Sequence, residues 1–596
     1  MLRRALGAAV LAVALSAAGA AAGVRARSDM IVHEWGTFLA MQGSDGVTLD
    51  GMYHEEHALP PFVHARSRDQ LRIPSAFVKG ETPVIYFYTD RRQEVMVEVG
   101  FPAGVWTQWY PQVSMATPQL TQGGSPPELR RGRIRWNAQV IPPAEAPPLP
   151  AASADALWNF ARQVDSAFVR TFDQTRGGNT PQYERFLFYR GLGSARLPLR
   201  FEPGAGSLTS EAAGPELRHL FVLRVENGRG AYRYLPSLPP GGTAAASPPP
   251  RKEMRPLAAF VPAAADALAA RLEESGLHPK EARAMVNTWR SSYFETDGVR
   301  VLFILPQSWT DAFIPLRIDP EPAQVVRVMV GRLEALTPER EQRAEAAVRE
   351  LGSSDPAARQ RGFAWLQAQG RYVEPILRRV LRSSADERVN ALCRRLLMTG
   401  QVTDLRVALR APERSDALED EPVNVRAQLA SLLREVGLTE EARQEAESAL
   451  AELGRLPRPP DHKSAARHHL RAYARASEAM GDDRQAAEWY RRLVRFGSQV
   501  VRNRGCVGCH HGAFGAAPTD VSWLRDWWAG RKLAEVLHRL GERDRAIRES
   551  EAALERDPRD AAAALTLAYL YDAAGSPDRT ASIWSRLEGT SRTAAR

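Results

Sequence analysis

The chain has 596 residues, with 79 Lys or Arg against 70 Asp or Glu, a formal net charge of +9, and three cysteines. So few cysteines exclude a disulfide-stapled scaffold at this length, which instead implies several domains. Lysine is confined to positions 79, 252, 280, 463 and 532, so the positive charge is almost all arginine, interleaved with Glu and Asp. Such dispersion reads as solvated helix faces with a lean toward acidic partners or membrane surfaces, and it argues against a nucleic-acid partner.

At the N-terminus, the basic Met1-Leu2-Arg3-Arg4 precedes an apolar, alanine-rich run and then small residues through Gly23. This pattern predicts a cleavable secretory signal peptide over residues 1–28 and an exported, periplasmic protein. No later stretch approaches ~18 uninterrupted apolar residues, so no integral membrane span is expected.

Residues 29–340 predict a β-rich domain. Strands are expected at Val84 to Tyr88, Val95 to Val99, Arg185 to Tyr189, Val299 to Leu305 and Val325 to Val330. Leu220 to Val225, Asn227-Gly228 and Ala231 to Tyr234 predict a hairpin with a tight turn. Helices are expected at Ala154 to Thr171, Ala263 to Ser275 and Pro279 to Arg290, and proline-rich linkers at Ile141 to Pro150 and Pro236 to Pro262. The sum is a sandwich-like β core with a few helices.

Within this region, His33 and Glu34, then His54-Glu55-Glu56-His57 and His64, form a His/Glu-rich set. Imidazole and carboxylate suit zinc, copper or iron, so His33, Glu34, His54, His57 and His64 are candidate ligands of a transition metal. H-E-E-H is not H-E-x-x-H, and Gly51 and Pro60-Pro61 flank it, so the pattern allows a loop site and not a metalloprotease helix, with solvated or hydrogen-bonded residues of an exposed loop as the alternative. Arg190, Trp289 and Trp309-Thr310-Asp311 stand out as well, with packing an equal explanation. Neither a G-x-S-x-G nucleophile motif nor a phosphate-binding glycine loop occurs. The segments Val32-His33-Glu34-Trp35-Gly36-Thr37-Phe38, Glu81 to Tyr88 and Phe188-Tyr189-Arg190-Gly191 resemble the opening and core strands of a group of uncharacterised exported proteins of environmental bacteria. The resemblance covers residues 30 to 335 and implies no activity.

Residues 341–412 are predicted helical, with Asp355-Pro356 and Ala385-Asp386-Glu387-Arg388 opening two of the helices. They resemble a pair of HEAT-like units. In residues 423–596, Ala534, Ala546, Ala553 and Pro558 recur at a spacing echoed by Leu567, Ala568 and Tyr571, by Tyr473-Ala474, Ala486 and Tyr490, and by Leu429-Ala430, Ala442 and Ala446. This resembles four tetratricopeptide repeats starting near Val423, Arg467, Trp527 and Ala561. The expected fold class is therefore α+β multidomain, a β-rich region followed by an all-α solenoid whose surface docks protein partners.

Between the second and third repeats lies an insertion, residues 501–526, that carries Cys506-Val507-Gly508-Cys509-His510. C-x-x-C-H is the c-type haem attachment motif. Cys506 and Cys509 would form the thioethers to one covalent haem and His510 the proximal iron ligand. A redox disulfide would want a βαβ setting and a zinc site a second ligand pair, and neither surrounds this motif. Phe514, Trp523, Trp527 and Trp528 are candidates to cover the ring, with packing between repeats the equal alternative. For the distal position the candidates are His538, Met480, His468, His469 and His462, of which His538 is preferred; an open iron is also allowed. The lone Cys393 reads as a buried thiol on a helix face. The function expected is electron transfer in a periplasmic protein assembly, with a redox partner. The alternatives are a haem- or metal-dependent oxidoreductase and a haem-containing sensor or scaffold.

Overall fold

The computed structural model describes residues 28–51, 56–57, 59–60, 62–65, 76–118, 129–173, 180–410, 422–456, 464–502 and 528–593. Residues 1–27, where a signal peptide is expected, His54, His462 and residues 503–527, with Cys506, Cys509, His510, Phe514, Trp523 and Trp527, lie outside them.

The chain is α+β: a β-rich region, then a helical one. The larger sheet has 11 strands and runs Arg255–Pro256, Arg229–Leu238, Leu217–Glu226, Gly298–Leu305, Gln324–Ala335, Ile31–Gln42, Val78–Tyr88, Leu187–Gly193, Gly104–Tyr110, His64–Ala65, with Thr48–Leu49 beside Ile31–Gln42. The first long strand and the last, Ile31–Gln42 and Gln324–Ala335, lie parallel at its centre, in unbroken register from Ile31 opposite Gln324 to Gln42 opposite Ala335. Ile31–Gln42 is buried on both faces along nearly its whole length, and its polar residues His33, Glu34, Thr37 and Gln42 are buried with its apolar ones. On one face, Val32, Phe38, Ile85 and Phe87 share a core with Val95, Val97, Trp136, Val140 and Val169 of a second, six-stranded sheet. On the other face, Trp35, Val84 and Tyr86 pack under the helices Leu257–Glu274 and Pro279–Arg290.

Local turn chemistry sets the hairpin. Leu217–Glu226 and Arg229–Leu238 pair antiparallel through Asn227 and Gly228, whose φ angles of 51° and 71° are those a two-residue primed turn requires. Two expectations need correction. Only Trp158–Ala161 of the segment Ala154 to Thr171 is helical, and Phe168–Asp173 is a strand. Its alternation of Phe168, Arg170 and Phe172 with Val169 and Thr171 fits a pleat, and it pairs with Gly132–Ile141. Nor is Pro236 to Pro262 a linker, because it supplies the end of one strand, the strand Thr243–Ala245 and the first turns of Leu257–Glu274.

No linker separates the helical region. Thr337 caps Pro338–Leu351 by accepting from the Arg340 N–H, and Leu39, Met41 and Leu336 join Ala344, Leu351, Ile376 and Cys393 in one cluster. Pro356–Gln369, Glu374–Ser383 and Glu387–Arg410 follow. Asp355 caps the first of these and Asp386 the last, each through backbone N–H groups. Beyond residue 421 the helices come in pairs: Pro422–Glu435 with Thr439–Arg455, Ser464–Met480 with Asp483–Arg502, Trp528–Arg539 with Arg543–Arg556, and Ala561–Ala573 with Pro577–Thr593. The recurring small residues Ala430, Ala442, Ala446, Ala474, Ala486, Ala534 and Ala568 are all buried. The third pair is irregular. Trp528–Arg539 packs chiefly on Asp483–Arg502 and Ala561–Ala573, and only lightly on its own partner. Gly530 permits that approach, since a Cβ there would lie 2.1 Å from the Tyr569 ring. Among the described residues no helix is long and apolar enough to cross a membrane.

Candidate functional site

Strand alternation decides what the His/Glu-rich set can do. Neighbours in Ile31–Gln42 point to opposite faces, so His33 and Glu34 cannot meet at one ion. Glu34 lies on the sandwich side, where it receives Arg327 Nε at 2.5 Å and the Tyr189 hydroxyl. Arg327 also reaches Asp311 Oδ1 at 2.8 Å and the Ile314 carbonyl, so Glu34 is the centre of a buried structural ion pair. His33 lies on the helix side, with Nδ1 2.7 Å from Glu281 Oε2 and its ring stacked on His278 at 4.6 Å. His57 contacts Ser292 and His64 contacts Gln182, each at 3.1 Å. The candidate ligands His33, Glu34, His57 and His64 thus take separate partners, and His54 lies outside the described residues.

A different trio comes together instead. The ligand atoms of His33, His278 and Glu281 lie within 4.8 Å of one another. Glu281 owes its position to helix-start chemistry: it is the third residue after His278, accepts the His278 backbone N–H at 2.7 Å, and follows Pro279 in the first turn. Tyr88 donates to its other oxygen at 2.7 Å. Burial, with the Glu281 carboxylate beside it, pushes the Tyr88 phenol far above its ordinary value. The H-P-K-E start at residues 278–281 could have been read from sequence. Its meeting with His33, 248 positions away, could not.

Farther along the same face a chain of charges is buried. Arg332 and Glu334 alternate onto one face of Gln324–Ala335, and Arg300 sits directly opposite Glu334 on the next strand. Glu334 receives Arg332 Nε at 2.8 Å, Arg300 Nε at 3.0 Å and the Tyr372 hydroxyl at 3.2 Å; all three charged side chains are fully buried. Burial alone would raise the Glu334 carboxyl, but the two guanidiniums hold it below its ordinary value. Burial and Glu334 likewise oppose ionisation of Tyr372, yet Arg300, Arg371 and Arg332 outweigh them and lower its phenol. Arg332 Nη1 continues to Glu56 at 2.9 Å, and Arg371 also meets Glu56. Ser292 donates to Glu56 and contacts His57. The serine therefore stands between imidazole and carboxylate, whereas nucleophile activation needs the imidazole in the middle.

Beside this chain, a cavity of about 30 Å³ lies between the sheet and Pro279–Arg290, and Arg190, Trp289, Trp35 and His57 are in its wall. Arg190 and Trp289, far apart in sequence, thus line one wall. Trp309 packs on Phe313 and Phe38, and Thr310 is buried.

The helices on either side of residues 503–527 are joined directly. Trp528 packs edge-on against Tyr490 at 5.5 Å, with Arg475 over its ring. Glu478 accepts from Tyr490 at 2.7 Å and from Arg539 at 2.9 Å, with Lys532 Nζ 3.6 Å away. Of the distal-ligand candidates, His538 is exposed in the last turn of Trp528–Arg539, His468 is buried, and His469 and Met480 are half-buried. Cys393 is fully buried, and desolvation pushes its thiol up to about 11. No protein-family model matches this chain, and no curated protein matches it either.

Proposed function

We propose that this protein is an exported monohaem c-type cytochrome that transfers electrons within a periplasmic protein assembly. The sequence C-x-x-C-H at residues 506–510 carries the reading. Bound haem would supply one-electron redox chemistry. Cys506 and Cys509 would hold it, with His510 as the proximal ligand and exposed His538 as the distal one. The setting supports this. Tyr490, Trp528, Glu478 and Arg539 tie the helices on either side of residues 503–527 to each other, so the motif lies in sequence between two helices of one packed array. The paired helices with buried alanines favour tetratricopeptide and HEAT-like repeats as the docking surface for a protein partner. The Met1 to Gly23 pattern favours export.

A metal-dependent oxidoreductase is the second reading. It is favoured by the trio His33, His278 and Glu281, whose neighbour Tyr88 lines an open cleft of about 340 Å³ together with Asp29, Asp90 and Asp165. Two imidazoles and one carboxylate are a donor set for iron or zinc.

One preparation tests both. The full chain, expressed in a host that matures c-type cytochromes, is expected to gain the mass of one haem and a c-type band on reduction, both lost in Cys506→Ser/Cys509→Ser. Replacement of His538 by Ala should convert a low-spin spectrum to high-spin. Neither band nor added mass would overturn the first reading. Elemental analysis showing one further equivalent of iron or zinc, lost in His33→Ala, would support the second; its absence after metal loading would end it.

A further inference from the structure

A carboxylate beside a histidine can bind a metal itself or hold the imidazole for one, and its free lone pairs decide which. Glu281 has few to spare. Its Oε2 accepts from His33 Nδ1 and from the His278 backbone N–H, each at 2.7 Å, and its Oε1 accepts from the Tyr88 hydroxyl at 2.7 Å. The side chain is fully buried, in the first turn of the helix Pro279–Arg290. To reach an ion it would have to release the N–H that it holds at the helix start.

His33 has the opposite balance. An ionised carboxylate offers only lone pairs, so His33 Nδ1 carries the proton in this contact, and Nε2 is the bare nitrogen of the neutral ring. That ring makes no other hydrogen bond among the described residues. The exposed ring of His278 lies beside it, 4.6 Å away and 19° from parallel. Tyr88 packs edge-on to both imidazoles, at 5.1 Å and 5.0 Å, and lines the open cleft of about 340 Å³. Asp165 on the same cleft pairs with Lys280, two residues beyond His278. An ion and its water can therefore reach the two rings. One bare nitrogen held by a buried carboxylate, with a second imidazole next to it at the surface, suits a borderline divalent ion.

We propose that His33, through Nε2, and His278 bind one zinc or copper ion, and that Glu281 is not a ligand but the positioning residue that fixes the His33 tautomer, the remaining coordination positions being left to water from the cleft. This rests on the second reading above and divides the roles within its trio.

Zinc titration of the full-length protein against a chromophoric chelator, with long-range proton–nitrogen NMR of the histidine-labelled zinc form, tests both parts. One equivalent is expected to bind, and His33→Ala and His278→Ala should each weaken it by about a hundredfold or more. Glu281→Gln should still bind one equivalent, weaker by about tenfold to a hundredfold. In the unaltered protein His33 should hold zinc on Nε2 and keep its proton on Nδ1, a readout that stands even if Glu281→Gln misfolds. No saturable binding up to about 100 μM zinc would overturn this proposal and the second reading together. Zinc on His33 Nδ1, or a folded Glu281→Gln variant that binds none, would leave that reading standing and overturn the division of roles. A folded His278→Ala variant that binds like the parent would overturn the two-imidazole site.

Discussion

In the β-rich region the interior holds Arg300, Arg332, Glu334, Lys79 and Glu81, each at most 2% exposed, and four of its buried tryptophans are pinned by a hydrogen bond. The paired helices beyond residue 421 pack on alanine and leucine, and most of their ion pairs lie at the surface. The two regions thus reach a close-packed interior by different means. A buried charge is tolerable only while every partner is present, so the first interior is demanding about identity. A small-residue seam is demanding about size: Gly530 faces Tyr569 because nothing larger fits.

The sharpest way to test that contrast is Glu334→Gln. It leaves Arg300 and Arg332 buried without their shared anion and is expected to cost about 3–5 kcal/mol in denaturant unfolding. Its pH dependence has a definite sign. Because the folded carboxyl is held below its ordinary 4.5, its contribution is complete above that pH and disappears as pH falls through the lowered folded value. The variant should lack this acid limb. A smaller effect belongs to Glu478, a buried carboxylate that serves the paired helices as a hub for Tyr490, Arg539 and Lys532. Glu478→Gln should lower stability by about 1–2 kcal/mol, read as a shift of the helical unfolding transition. The smallest is Glu488→Ala, which removes an exposed partner of Arg492 at 2.6 Å; less than about 0.5 kcal/mol is expected. If Glu488→Ala cost as much as Glu478→Gln, surface pairing and not the seam would be holding the helices together.

What could be read from sequence was local. Asn227-Gly228 announces its turn, Asp355-Pro356 and Asp386 announce helix starts, and Pro279 to Arg290 is a helix as expected, because these signals act within a few residues. Ala154 to Thr171 reads as helix in isolation because the strand character of Phe168–Asp173 depends on a partner at Gly132–Ile141. The buried charges were illegible for the same reason: Arg300 acquires meaning only opposite Glu334 and against Tyr372, 72 positions on. His33 and Glu34, adjacent in sequence, suggest one site, and pleating sends them to different cores. Arg190 and Trp289 were noticed singly, but only the fold brings them to one cavity.

The parallel pairing of Ile31–Gln42 with Gln324–Ala335 fixes an order of assembly. The central strand of the sheet must wait for residues nearly 300 positions later before its second edge is closed. Until then it presents a long, apolar, hydrogen-bonding margin of the kind that recruits other chains. Closure is non-local and therefore slow. In a chain that ends before Gln324 the strands Gly298–Leu305 and Ile31–Gln42 would lack the strand that stands between them, so the last strand acts as the latch of the larger sheet.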